Sequence, residues 1–459
     1  MIHKYQLNGF NIVLDVNSGG VHLVDEMTYA LLDYIAPPFA AECPAQAIAA
    51  LADTYDIEEL KACYSEIVEL SEAGVLFSED TFTQYSAVSV PSPIKALCLH
   101  VSHDCNLRCA YCFAATGDFG VGRKLMDAEM GKKAIDFLVA NSGDRVNLEV
   151  DFFGGEPLMS WNAVKEIVAY ARSMEKQIGK RFRFTMTTNG MLLDDEKIEY
   201  LNEEMSNVVL SIDGRKEVHD KMRPCPNGTG SYDHILPKFR KMVSLRGTKD
   251  YYVRGTFTKY NLDFSEDVFH LYEQGFDQIS VEPVVAAADM PYALTEAELS
   301  AIAAEYETLA NRMLENEKKG GKFNFFHFSI DLNNGPCAIK RLRGCGCGND
   351  YVAITPEGDI YPCHQFVGVE GYRMGSLVDG SFDTEMKAKF AAAHVGNKPE
   401  CRECWAKFYC SGGCNANNYL YAGDILKPYG ISCKLQQKRL ECAIMMQAAR
   451  FAAKESEEA

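Results

Sequence analysis

The 459-residue sequence is first defined by what it lacks. No apolar run approaches the roughly 18 residues of a membrane-spanning helix, so none is expected. The opening "MIHKYQLNGF" has no apolar signal core. Positive charge is in deficit: 46 Lys and Arg face 64 Asp and Glu, a formal net charge of -18 at pH 7. That argues against non-specific nucleic-acid binding, which relies on basic patches. No long-period repeat marks a solenoid. Hydrophobic residues make up 47% and charged residues 24%, an ordinary globular composition. The expectation is a cytoplasmic chain of two or three domains, with neither membrane nor nucleic acid among its partners.

Cysteine is abundant instead: 17 residues, in clusters. Disulfide frameworks belong to short secreted chains, whereas clustered cysteines in a reducing compartment are metal ligands. "CNLRCAYC" places Cys105, Cys109 and Cys112 on one C-x3-C-x2-C loop. Three thiolates can hold three irons of a [4Fe–4S] cube and leave the fourth open to a small molecule. The plainer alternative is a structural cluster or zinc site completed from elsewhere. "CRECWAKFYCSGGC" gives C-x2-C-x5-C-x3-C at Cys401, Cys404, Cys410 and Cys414, and Cys433 follows after 18 residues. Upstream, "GCGCGNDYVAITPEGDIYPC" offers Cys345 or Cys347, then Gly358 and Cys363. A zinc ribbon is the alternative for these. Cys43, Cys63, Cys98, Cys225 and Cys442 match no motif and read as small buried hydrophobes. His103, Asp104 and His364 adjoin the clustered cysteines, as groups that hydrogen-bond ligands do.

The chain divides into four segments. Residues 1–80 read as strand, Asn-Ser-Gly-Gly turn, strand and a helix from near Asp25, then helices around 44–54 and 57–74, a winged-helix-like module with an exposed β-edge. Residues 81–95 are a polar, Pro-containing linker. Over 96–320 six strand-like runs alternate with helices such as 126–140, 161–178 and 231–245. That predicts an α/β fold, a partial (β/α)6 barrel with right-handed crossovers and its chemistry at the C-terminal strand ends. The cysteine triplet, Gly154-Gly155-Glu156, Asn189-Gly190 and Asp213-Gly214 each follow one of the first four strands. Residues 321–459 are Gly- and Cys-rich with short strands and a final helix around 434–453, a composition that leans on metal for stability.

CNLRCAYC followed by Phe113 resembles the signature of radical S-adenosylmethionine enzymes. "GGEP" at 154–157 resembles that family's motif for the methionine amino group, and "TTNG", "SIDG" and "HDKMRPCPNGTGSYD" resemble its SPASM branch. The resemblance covers 96–285. It implies a [4Fe–4S] cluster on Cys105, Cys109 and Cys112 that chelates S-adenosylmethionine and cleaves it to a radical that abstracts hydrogen. It implies cofactor contacts from Tyr111, Gly154, Gly155, Glu156, Asn189, Ser211, Asp213 and Arg223. Arg223 has an alternative, an ion pair with Asp220 or another rim acid. Tyr111 and Phe113 are expected to shield cluster and adenine. The C-terminal cysteines resemble the seven-cysteine SPASM motif with two auxiliary [4Fe–4S] clusters. Carried over, Cys401, Cys404, Cys410 and Cys433 bind one; Cys345, Cys363 and Cys414 bind the other. Its fourth ligand is Cys337, Cys347, the substrate or none.

The opening 33 residues from His3, with "GPCAIKRLRGCGCG" and "YPCHQFVG", resemble maturases of the Cys-rich SCIFF peptides, of sactipeptide/ranthipeptide type. Those enzymes join a Cys sulfur to a carbon of another residue, threonine in the family. The resemblance makes residues 1–80 a PqqD-like leader-recognition element, binding a ribosomally made precursor by β-augmentation. It also implies a flavodoxin or ferredoxin as electron donor. Two rivals are a sulfatase-type maturase forming formylglycine and a non-enzymatic iron–sulfur or zinc protein that binds peptide.

Overall fold

The computed structural model describes residues 1–81, 90–332 and 342–458. Cys337 and most of the linker 81–95 lie outside them. The chain opens with a three-stranded antiparallel sheet, β1 (Ile2–Leu7), β2 (Phe10–Asp15) and β3 (Val21–Val24), in that order. Asn8 and Gly9 turn β1 into β2 with φ of 51° and 79°, as a two-residue hairpin requires. Asp25 accepts from Thr28 N and caps the helix Glu26–Leu31. Helices Ala45–Leu51 and Ile57–Glu72 follow. Leu31, Leu60, Tyr64 and Ile67 close over Val13 as a small core. β1 is an element the sequence did not reveal. "IHKYQL" looks polar, because Tyr5 and Leu7 bury themselves in the main core, on a face that only β1's partner defines. Tyr5 Oη donates to the Glu441 carbonyl at 2.9 Å, and His3 Nε2 lies 3.1 Å from Glu441 Oε1. Both bonds tie β1 to the helix Gly430–Glu458.

Six strands then run parallel and in sequence order: β4 (Ala96–Ser102), β5 (Asn147–Gly154), β6 (Arg181–Thr188), β7 (Met205–Ser211), β8 (Asp250–Phe257) and β9 (Gln278–Pro283). Helices such as Ala128–Asn141 and Trp161–Ile178 cross between them. Alternate side chains of β6, Phe182, Phe184 and Met186, are buried in the core those helices cover. This is the expected partial α/β barrel. The sheet runs past residue 320, however. β10 (Asn324–Phe325) pairs parallel with β9, and β11 (Tyr351–Ile354) pairs parallel with β4. β12 (Asp359–Tyr361), β13 (Gly375–Ser376) and β14 (Ser381–Phe382) continue antiparallel. One eleven-stranded sheet thus carries both the barrel and the Cys-rich region. β11 is too short to announce itself as a further parallel strand, yet it pairs with Ala96–Leu99 of β4, and its Val352, Ala353 and Ile354 are fully buried. Among the described residues no helix is long and apolar enough to cross a membrane.

Candidate active site and iron–sulfur cluster sites

The cysteine loop leaves the C-terminal end of β4, where Asp104 Oδ1 accepts from Cys105 N at 2.8 Å. Arg108 N donates to the Pro224 carbonyl (2.9 Å) and Ala110 N to that of Met222 (2.8 Å), so the loop is strapped to the segment carrying Arg223. Cys105, Cys109 and Cys112 come together, each within electrostatic reach of the others. Burial pushes the Cys105 thiol up to about 11 and the Cys109 thiol up to about 12. Thiols this reluctant to ionise give up their protons when a metal takes the charge. Leu107 N and Asn189 Nδ2 point at Cys105 Sγ, at 3.5 and 3.6 Å. These donors suit a sulfur that carries negative charge.

The glycines after β5 are there for contact. A Cβ on Gly154 would lie 2.1 Å from the Ser102 carbonyl oxygen, and one on Gly155 would lie 2.2 Å from that of Asp104. Only glycine lets this strand end lie flat against the cysteine loop. Gly155 N and Glu156 N donate across the gap at 2.8 and 2.9 Å. Glu156 is fully buried. Its carboxylate accepts from Leu158 N (3.0 Å), Thr188 Oγ1 (2.8 Å) and Asn189 N (2.8 Å). Burial still raises its proton affinity, to about 7. In this structure Glu156 clamps the ends of β5 and β6 together, and Asn189, 7% exposed, faces the triplet.

Beyond β7, where Ser211 sits half-buried at the strand's end, Asp213 departs from expectation. The sequence suggested a direct cofactor contact. The structure buries it completely and fills its carboxylate. Tyr111 Oη donates to both oxygens (2.8 and 2.7 Å), Thr256 N to Oδ1 (2.9 Å), and Arg223 Nη2 lies 3.1 Å from Oδ1. Asp213 therefore positions Tyr111 and Arg223. Of the alternatives for Arg223, the ion pair is with Asp213, while Asp220 pairs with Lys216 (2.8 Å). Arg223 Nε stays buried without a partner, an orphan donor beside the triplet that an anionic ligand group would satisfy. Asp213→Asn strands a buried guanidinium. It is expected to cost about 3–5 kcal/mol of stability, read as a shifted urea midpoint, against about 1 kcal/mol for Tyr111→Phe.

Other positions also differ from expectation. Phe113 is 55% exposed, and its ring faces Phe153 and His364. His103 bonds His100 (3.0 Å) instead of a cluster ligand. Cys43, Cys63, Cys98 and Cys442 are buried as expected, but Cys225 is only half-buried, in the turn before Gly228.

The C-terminal cysteines form two further sets. Cys345, Cys363 and Cys414 lie within electrostatic reach of one another where β11 begins and β12 ends, with Cys347 beside them. Gln365 Nε2 reaches Cys414 Sγ at 3.9 Å. Cys401, Cys404, Cys410 and Cys433 meet at the start of the helix Gly430–Glu458, where Gln437 Nε2 lies 3.5 Å from Cys404 Sγ. Ser411, Gly412 and Gly413 all have positive φ (61°, 83°, 72°), which aims the Gly412 and Gly413 N–H groups at Cys410. Successive N–H groups of this kind make an anion-binding concavity.

Lys398 is the residue sequence reading missed. It is fully buried, and its ammonium donates to the Gly412 carbonyl (2.8 Å) and Asn415 Oδ1 (2.9 Å), both neutral. Burial pulls its proton affinity down; Cys401, Cys410, Cys414 and Cys433 around it pull it up. A buried cation with only neutral acceptors calls for an anionic group, and four thiolates on iron supply one. Nothing in "NKPEC" separates it from a surface lysine. Lys398→Met is expected to shift the midpoint of one auxiliary cluster to lower potential in an EPR-monitored redox titration.

Three thiolate sets, one on the rim of a partial parallel barrel and two in a Cys-rich extension of its sheet, define an iron–sulfur enzyme class. Residues 99–253 match the radical SAM superfamily, and residues 345–405 match SPASM, an iron–sulfur cluster-binding domain. The chain thus carries a radical SAM domain and a SPASM domain, which imply S-adenosylmethionine and [4Fe–4S] clusters as cofactors, auxiliary clusters among them. It is 24% identical over 338 residues to the cysteine-type anaerobic sulfatase-maturating enzyme of Clostridium novyi, covering 69% of this chain and 86% of that one. Its fold is similar to native anSMEcpe with bound AdoMet and Kp18Cys peptide (TM-score 0.64, 19% identity, 78% of this chain and 99% of that one). It is also similar to Streptococcus suis SuiB bound to precursor peptide SuiA (TM-score 0.54, 16% identity, 94% and 98%).

Proposed function

We propose that this enzyme installs intramolecular thioether crosslinks, Cys sulfur to a carbon of another residue, in a small Cys-rich ribosomal precursor peptide. The observation that carries the reading is the N-terminal sheet. Among the described residues β3 pairs with β2 alone, which leaves its other edge open. That edge borders a groove of about 1650 Å³, walled by Phe10, Val21 and Leu23 on one side and Leu314, Ile330 and Ala449 on the other. An open edge beside an apolar groove suits an added peptide strand. β1 locks this sheet to the helix Gly430–Glu458, so a docked leader is tethered to the catalytic body at a fixed place.

In this reading Cys105, Cys109 and Cys112 hold the cluster that binds S-adenosylmethionine. Gly154, Gly155 and Glu156 set the ligand's cradle, Asn189 and Ser211 line it, and Arg223, aimed by Asp213 and Tyr111, meets a carboxylate with its free Nε. When bound and reduced, the cluster supplies one-electron cleavage of S-adenosylmethionine and hydrogen abstraction from the peptide. Cys401, Cys404, Cys410 and Cys433 hold one auxiliary cluster, and Cys345, Cys363 and Cys414 hold the other. Residues 1–80 serve leader recognition, 96–320 the radical chemistry and 321–459 the auxiliary clusters, with a flavodoxin or ferredoxin as electron donor.

A sulfatase-type maturase remains the second reading, favoured by the likeness to the Clostridium novyi enzyme. The test is co-expression with a small Cys-rich precursor. A mass loss of two hydrogens per crosslink, with one thiol consumed, supports thioether formation. An unchanged peptide together with an aldehyde on a sulfatase substrate rejects it.

A further inference from the structure

We infer that Cys347 is a thiolate ligand of the first auxiliary cluster, the fourth beside Cys345, Cys363 and Cys414. This rests on the auxiliary cluster proposed at those three residues.

Gly344, Gly346 and Gly348 alternate with Cys345 and Cys347, at φ of 63°, 79° and 69°. That backbone is open to glycine at little cost, and it folds both cysteines into one tight loop. The loop is pinned where it matters. Gly348 N donates to the carbonyls of Tyr351 and Pro362, both at 2.9 Å. The peptide after Cys347 is thus fastened to the peptide before Cys363. The two thiols hydrogen-bond each other. Cys347 is 4% exposed and Cys363 5%, and they share one buried cluster with Phe366, Phe390 and Cys414. A Cβ on Gly348 would sit 2.4 Å from the Phe390 ring, so the loop has no room to turn Cys347 elsewhere.

A cysteine acting as a small hydrophobe needs no polar partner. Cys347 has a thiol partner, and that partner belongs to a cluster set. Two buried thiols sharing a proton contact are a chelating pair in waiting. On ligation each thiol releases its proton to solvent and the iron takes the sulfur charge. The other sequence candidate, Cys337, lies outside the described residues.

The experiment uses the full chain in the Cys105/Cys109/Cys112→Ala background, reconstituted anaerobically, where only auxiliary iron remains, about eight atoms. C347A is expected to lose iron, to as few as about four atoms, and to change the EPR spectrum of one reduced cluster. C347S is expected to hold more iron than C347A with displaced g values. Cys401→Ala identifies the spectrum of the other cluster, which should persist in both variants. Unchanged iron and spectra in C347A and C347S overturn the inference. So does iron loss in C337A with none in C347A, or collapse of both clusters together with the far-UV circular dichroism. A parent background holding a single cluster removes the cluster assignment itself, and this inference with it.

Discussion

Replacing Cys105, Cys109 and Cys112 together by alanine abolishes 5′-deoxyadenosine formation and leaves about eight iron atoms per chain, the content of two [4Fe–4S] clusters. Both halves of that expectation come from separation. The triplet lies on one loop after β4, held by Asp104, Asn189 and the strap to Met222 and Pro224. The other two sets lie in the Cys-rich region from Cys345 onward, with their own buried lysine and their own glutamine donors. No residue is shared, so removing three thiols empties one site and leaves the rest folded. Chromatography of the dithionite-reduced reaction and an iron assay on the same sample give both numbers. Surviving cleavage of S-adenosylmethionine would place the reactive cluster elsewhere.

On the proposed function, Leu23→Pro is expected to slow crosslinking of full-length precursor by roughly 10²-fold, because leader docking would raise the local concentration of the core peptide. The choice of residue follows from the ladder. Asp15 N donates to the Gly20 carbonyl at 2.8 Å. Alternation then turns the backbone groups of His22 and Val24 toward β2 and those of Val21 and Leu23 outward. Proline at Leu23 removes an outward N–H while sparing the native sheet. Deleting the whole module is a poorer test, since Tyr5, Leu7, Ile12 and Leu14 belong to the main core. Formation of 5′-deoxyadenosine without peptide persists in Leu23→Pro, and a leaderless core peptide is crosslinked as slowly by parent as by variant. Equal rates on full-length precursor reject docking at this edge.

The sequence alone determined the partial barrel and its iron–sulfur character. Strand periodicity of two and helix periodicity of 3.6 are local, and so are C-x3-C-x2-C and C-x2-C-x5-C-x3-C; each is written in neighbouring residues. Tertiary structure decided what depends on distant partners. β1 and β11 became strands because β2 and β4 offered them edges, and no local pattern announces such an edge. Asp213 became a positioning carboxylate only when Tyr111 and Arg223, far apart in the chain, converged on it. Lys398 became an internal cation because folding wrapped four cysteines around it. Cys347 was separated from Cys345 by burial and by the bond from Gly348 to Pro362. Buried electrostatics depend on the whole surrounding shell, and a sequence window does not contain that shell.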